Sequence, residues 1–178
     1  MNVYLFQRVL ATGVLILQIA IVCGVIILVS KKDSKIRHHL ETYVMHYGLT
    51  VAVASLLGSL ALSEIYLLEP CKWCWIQRIF HYPQIIIFSI AILKKDSQAW
   101  LYVIWLAGIG LAASLYQILI QFSPTIAKTA LCSTNPSVAS CSKILSIEYG
   151  FITIPVMSAT LYLAIILLYF LRKKNKIS

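Results

Sequence analysis

Charged side chains are scarce in this chain. They make up 12% of the 178 residues, and only 6 residues are acidic. A soluble domain of similar length carries about 25% charged residues, so the deficit excludes a protein that keeps most of its surface in water. A basic face is missing too. The net charge is +9, yet the Lys and Arg residues sit in short clusters at the ends of apolar runs. That arrangement argues against a nucleic-acid surface and suits a protein oriented across a bilayer. The signal-peptide pattern is also absent. Such a peptide has an apolar core of about 7–15 residues, basic residues before it and a small-residue cleavage site after it. Here the first apolar run, Val9–Val29, is longer, with only Arg8 before it and Lys31 and Lys32 after it. We read it as a retained helix. The apolar runs leave no length for a separate soluble domain.

What is present is hydrophobic: 60% of the residues. A bilayer span needs roughly 20 apolar residues, and only helices and closed barrels satisfy their backbone groups in lipid. The sequence therefore predicts an all-α membrane protein with helices over Val9–Val29, Val44–Leu68, about Trp75–Leu93, Trp100–Gln121 and Gly150–Leu171. Ala54, Gly58 and Ala61 recur at helical spacing in the second run and suit close helix packing; Gly108 and Ala112 lie four apart in the fourth. Residues 1–43 form a first span and its connection, 44–171 a four-helix core, and 172–178 a basic tail. One side of the membrane receives Lys31, Lys32, Lys35, Arg37, Lys94, Lys95, Arg172, Lys173, Lys174 and Lys176; the other receives Arg8, Lys72, Arg78, Lys128 and Lys143. The richer side is expected to be cytoplasmic. The N-terminus then lies outside and the C-terminus inside. The longest connection, Phe122–Tyr149, contains Pro124, Asn135 and Pro136 and is in part irregular; its Ile144, Leu145 and Ile147 suit the bilayer surface. The tetrad Lys-Lys-Asp-Ser occurs at Lys31–Ser34 and Lys94–Ser97, with nothing repeated around it, and is read as a coincidence of loop chemistry.

Four of the five cysteines form two close pairs outside the cell on this topology: Cys71 with Cys74, and Cys132 with Cys141. Disulfides persist in oxidising compartments, so the placement supports redox chemistry. Cys71-Lys72-Trp73-Cys74 opens the third helix, where unpaired N–H groups and the helix dipole stabilise an anion; the thiolate is the nucleophilic form. Alone, the C-x-x-C spacing is weak, because zinc sites share it. Arg78 lies one turn beyond Cys74 on the same face, and Gln77, His81 and Gln84 keep this half of the helix polar. Polar groups at membrane depth usually face the bundle and mark a site; the alternative for Arg78 is a side chain that snorkels to the interface. His81 is placed equally well in a pocket or near the interface. Pro83 is expected to kink the helix. Cys132 and Cys141 have eight residues between them, with a turn at Asn135-Pro136-Ser137. They are either a structural disulfide or a mobile pair that exchanges with a partner. Four cysteines could also hold zinc, but both pairs face an oxidising space, and no metal is expected. Cys23, within the first run, is given no role. Ser114, Gln117 and Gln121 form a stripe on the fourth helix, read first as interhelical hydrogen bonds and second as pocket lining. Glu64 and Glu69 are each placed to neutralise Arg78 or Lys72.

The string Glu69-Pro70-Cys71-Lys72-Trp73-Cys74-Trp75-Ile76-Gln77-Arg78-Ile79-Phe80-His81-Tyr82-Pro83 resembles the signature of the DsbB family of disulfide-bond formation proteins, especially its BdbC branch. Cys132 and Cys141, followed by Glu148-Tyr149-Gly150-Phe151-Ile152-Thr153-Ile154-Pro155, resemble that branch's second cysteine loop and last helix. The likeness covers about residues 44–171, and the two halves together are specific. It implies a four-helix bundle in a bacterial cell membrane with a quinone, ubiquinone or menaquinone, at its outer end. Cys71 and Cys74 then correspond to the quinone-proximal pair, with Cys74 against the ring and Arg78 beside it; Gln77 and His81 are further candidate contacts. Cys132 and Cys141 correspond to the pair that reoxidises an extracytoplasmic thioredoxin-like oxidase of the DsbA or BdbD kind. The relay from DsbA through DsbB to quinone keeps the bacterial periplasm oxidising. The additional first helix departs from the family pattern. Two rival readings are a quinone-fed reductase of the vitamin K epoxide reductase kind and a scaffold held by two structural disulfides. The former places its C-x-x-C late in the bundle, whereas here it opens the third helix.

Overall fold

A backbone in lipid must close its own hydrogen bonds, and the apolar runs do so as helices. The computed structural model describes residues 2–30, 35–123, 125–126, 144 and 147–175. The helices are α1 (Val3–Val29), α2 (Lys35–Leu60), α3 (Lys72–Lys94), α4 (Ala99–Phe122) and α5 (Ile154–Asn175). Among the described residues, five helices are long and apolar enough to cross a membrane. At 1.5 Å per residue, the 27 residues of α1 reach about 40 Å, enough for a hydrocarbon core of about 30 Å. Cys132 and Cys141 lie outside the described residues, as does most of the connection that carries them.

The helix ends differ from the apolar runs where polar side chains find partners. α1 begins at Val3 rather than Val9, because Gln7 is buried and Arg8 meets Glu148 at 3.4 Å. α2 begins at Lys35 rather than Val44; its first turns are held by the Arg37–Glu41 ion pair at 2.8 Å, spaced i to i+4. Its far end widens into a π-helical turn, Ala61–Ile65, and the chain then leaves the helix at Leu67, which has a φ of 52°. α5 begins at Ile154 rather than Gly150. Tyr149 and Gly150, both at positive φ, make a tight turn closed by paired bonds between Glu148 and Ile152 at 3.0 and 2.9 Å. Pro155 then sits in the first helical turn, where its missing N–H costs nothing. In α3 the helix continues through Pro83. At the next residue, the Gln84 side-chain amide donates to the Phe80 carbonyl at 2.9 Å.

Helices α2, α3, α4 and α5 close a ring in which each packs on the next, and α1 lies outside that ring against α5. The ring is tightest in the half away from Cys71 and Cys74. There Val44, Ala52, Phe88, Trp100, Val103, Ala107, Tyr162 and Ile165 form the core. Two glycines permit that approach. A Cβ at Gly48 would sit 2.6 Å from the Phe88 ring, and one at Gly110 would overlap the Tyr162 ring. The small residues picked out in the second and fourth runs behave differently: Ala54 and Gly58 border a cavity in the cysteine half, and Gly108 faces open space.

Candidate functional site

The site begins at the N-terminus of α3. Cys71 is the residue before the first helical turn, in an extended conformation, and Cys74 lies within that turn. The two sulfurs are 3.1 Å apart. Behind them Ile120 is buried, with Trp73, Tyr116 and Ile126 packed alongside; the Trp73 and Tyr116 rings stand 4.6 Å apart. Cys71 is 5% exposed. The pair therefore has an apolar back wall and a front that opens into a cavity.

Gln117 of α4 orients the polar side of this pair. Its Oε1 accepts from the Gln77 side-chain amide at 2.7 Å. That bond turns the Gln117 amide nitrogen toward the sulfurs, and it donates to Cys71 Sγ at 3.2 Å and to Cys74 Sγ at 3.5 Å. N–H donors aimed at sulfur stabilise a negative charge there more than a neutral thiol. The Tyr162 hydroxyl of α5 donates to the Gln77 carbonyl at 2.7 Å, which ties a third helix to the same residue.

Arg78 lies one turn deeper. Its Nε and Nη2 donate to the hydroxyl and the carbonyl of Ser59 on α2, each at 2.9 Å, and its guanidinium rests 5.4 Å from the Trp75 ring. Among the described residues it forms no ion pair. Neither Glu64, which accepts from the Ser63 hydroxyl at 3.2 Å, nor Glu69 neutralises it. A fixed, uncompensated cation thus faces the cavity one turn from Cys74. His81 lines the same cavity: it is 5% exposed, its Nε2 lies 3.2 Å from the Ala52 carbonyl, and its ring meets Tyr162 edge-on.

The cavity has a volume of about 680 Å³ and runs between α1, α2 and α5, with α3 and α4 at its polar end. Cys71, Cys74, Gln77, Arg78, His81, Gln117 and Glu69 make that end polar, whereas Leu10, Val14, Leu17, Val51, Met157 and Leu161 make the rest apolar. Three of the lining residues, Thr153, Gln121 and Tyr82, each also carry a buried oxygen with no hydrogen-bond partner among the described residues. The arrangement fits an amphipathic molecule: a polar, ring-sized head with hydrogen-bonding capacity near the thiols, and a long apolar tail. Quinones have that form.

The residues singled out from sequence around Cys71 thus converge: Cys71, Cys74, Gln77, Arg78 and His81 line one cavity. Gln117 was read mainly as an interhelical bond, and it is one, but it also touches both sulfurs. Ser114 does not line the cavity; its hydroxyl bonds the Gly110 carbonyl and the hydroxyl of Ser158, which does. Ser59 and Thr153 were missed. A serine and a threonine in apolar runs are too common to signal a site. Cys23 is exposed on α1 and away from the cavity lining. Among the described residues no three His, Cys, Asp or Glu side chains gather as metal ligands.

Comparison with known proteins follows the same lines. The family described as "Disulfide bond formation protein DsbB" matches residues 41–171. The probable disulfide formation protein C 2 of Bacillus anthracis is 38% identical over 141 residues, which cover 77% of this chain and 98% of that protein. The SPbeta prophage-derived disulfide bond formation protein B of Bacillus subtilis (strain 168) is 41% identical over 124 residues, covering 67% of this chain and 80% of that one. A probable disulfide formation protein C of Halalkalibacterium halodurans is 39% identical over 115 residues, covering 64% and 81%. No solved structure matches the chain.

Proposed function

Because this chain belongs to the DsbB family of disulfide bond formation proteins, we propose that it is a membrane thiol oxidase that regenerates an extracytoplasmic thioredoxin-like oxidase and delivers the electrons to a quinone. The observation that carries this reading is the cavity in which two close thiols and an arginine with no ion-pair partner among the described residues meet an apolar trough.

The energetic argument concerns the acceptor. A partner of the DsbA kind is itself a strong oxidant, at about −120 mV. Restoring its disulfide needs a terminal acceptor stronger than other protein disulfides. A quinone, when bound, takes up two electrons and two protons and supplies that acceptor. The chain's own residues do the rest. Cys132 and Cys141, as a disulfide, are attacked by the partner's thiolate; a mixed disulfide forms, the second partner thiolate displaces it, and the partner leaves oxidised. The resulting dithiol reduces the Cys71–Cys74 disulfide by the same exchange. Gln117 stabilises the thiolates of that pair. Arg78, held by Ser59, favours negative charge on Cys74 or on an oxygen beside it, in a site with little water where such interactions are strong. Gln77, His81 and Gln121 would hold the head of the quinone.

Purified protein given a reduced thioredoxin-like partner should reduce a quinone stoichiometrically with partner oxidation. Cys74→Ala should lower turnover to background. Full activity in that variant would overturn the assignment.

A further inference from the structure

Helix α1 lies outside the residues that match the family, yet it is part of the cavity wall. Val9, Gly13, Ile16, Leu17 and Ala20 recur at spacings of three and four, so they share one face, and all border the cavity. Across about eleven residues this face runs roughly 17 Å, about half the depth of the hydrocarbon core. The Bacillus anthracis relative is matched over 98% of its length by 141 residues of this chain, and α1 is a helix beyond the residues that match the family.

The helix is fastened along its length. At the cysteine end, Arg8 meets Glu148 at 3.4 Å, the Thr12 and Tyr149 hydroxyls are 2.8 Å apart, and Phe6 stacks on Tyr66 at 4.9 Å. At mid-depth, the Gln18 amide donates to the Thr160 hydroxyl at 3.0 Å. Toward the other end Leu167 lies where a Gly24 Cβ would stand, 2.8 Å away. Contacts this specific hold a fixed wall in place. Without α1 the trough on α2 and α5 would lie open on that side.

We propose that α1 holds the apolar tail of the quinone and sets which tail lengths the enzyme accepts. The inference rests on the proposed function and extends it from the head of the ligand to its tail. Gly13 provides the means to test it. It borders the cavity, and a Cβ built there meets nothing within 4 Å, so a side chain would start in open space beside the path the tail would use. Gly108 on α4 also has nothing within 4 Å, but it lies away from the cavity and serves as a control.

The experiment compares Gly13→Phe, Gly108→Phe and the unaltered protein for reduction of two quinones, one with a long isoprenoid tail and one with none. Gly13→Phe should raise KM for the long-tailed quinone by about tenfold or more, leaving kcat and KM for the tail-less one unchanged. Gly108→Phe should change neither. The tail-less quinone with unaltered protein reports on the proposed function alone; its failure to be reduced would remove that reading. With that activity intact, an unchanged KM in Gly13→Phe, or equal losses with both quinones, would overturn the role of α1. The equal-loss result would fit an ordinary lipid chain in the trough. If Gly13→Phe does not fold, Ala20→Phe, two turns deeper on the same face, carries the same test and should again discriminate only by tail.

Discussion

At the residue scale, the chemistry turns on which atoms face the Cys71 and Cys74 sulfurs. Gln117 gives them two N–H donors, and a hydrogen bond to a charged group contributes about 1.5–3 kcal/mol. Gln117→Ala should therefore slow oxidation of the Cys71–Cys74 dithiol by about 10- to 100-fold, followed by the rate at which both thiols escape alkylation after quinone is added. Gln117→Glu should be slower still, since a carboxylate beside the sulfurs repels a thiolate. Arg78→Lys keeps the charge but loses the two-point hold on Ser59, so KM for quinone should rise with less change in kcat; Arg78→Met should lower both kcat and kcat/KM. The cysteine spacing, Arg78 and the wet face of α3 were all legible in the sequence, because they lie within one helix whose periodicity is fixed. Gln117 was legible only as one member of a stripe. Its contact with sulfur depends on how α4 is rotated against α3, and on the Gln77 bond that turns its amide.

At the scale of helices, two glycines on α4 separate packing from exposure. Gly110 accepts the Tyr162 ring, whereas Gly108 meets nothing. Gly110→Ala should destabilise the bundle by about 1–3 kcal/mol through overpacking, seen as a lower Tm in detergent, and Gly108→Ala should leave Tm unchanged or slightly raised. In the sequence the two positions look alike, two residues apart in the same apolar run. The number of helices and their order were readable from hydropathy, but the ends were not. α2 gains nine residues because Arg37 and Glu41 pair along the helix, and α5 starts late because Tyr149 and Gly150 turn first. Each end was decided by a polar contact or a backbone angle that hydropathy does not encode. The place of α1 was hidden for a similar reason. A uniformly apolar helix carries little sign of which face meets protein, and only its docked polar residues, Arg8, Thr12 and Gln18, reveal it.

For the whole molecule, the ring α2–α5 brings the ends of four helices to the thiols and leaves the basic residues Arg37, Lys94, Lys95 and Arg172 at the other end. We propose that this asymmetry sets the orientation, with the thiols outside. In a chain stripped of its own cysteines, Ile147→Cys should react with an impermeant thiol reagent added to intact cells, and Ser97→Cys only after the membrane is opened. The central claim is narrower: the dithiol at the mouth of α3 gives its electrons directly to a quinone. The most direct measurement uses the double variant Cys132→Ala, Cys141→Ala, reduced and held without oxygen, to which a quinone is added. The Cys71 and Cys74 thiols should disappear together, with one quinol formed for each pair of thiols lost. If both thiols stay free in the presence of excess quinone, the account is wrong.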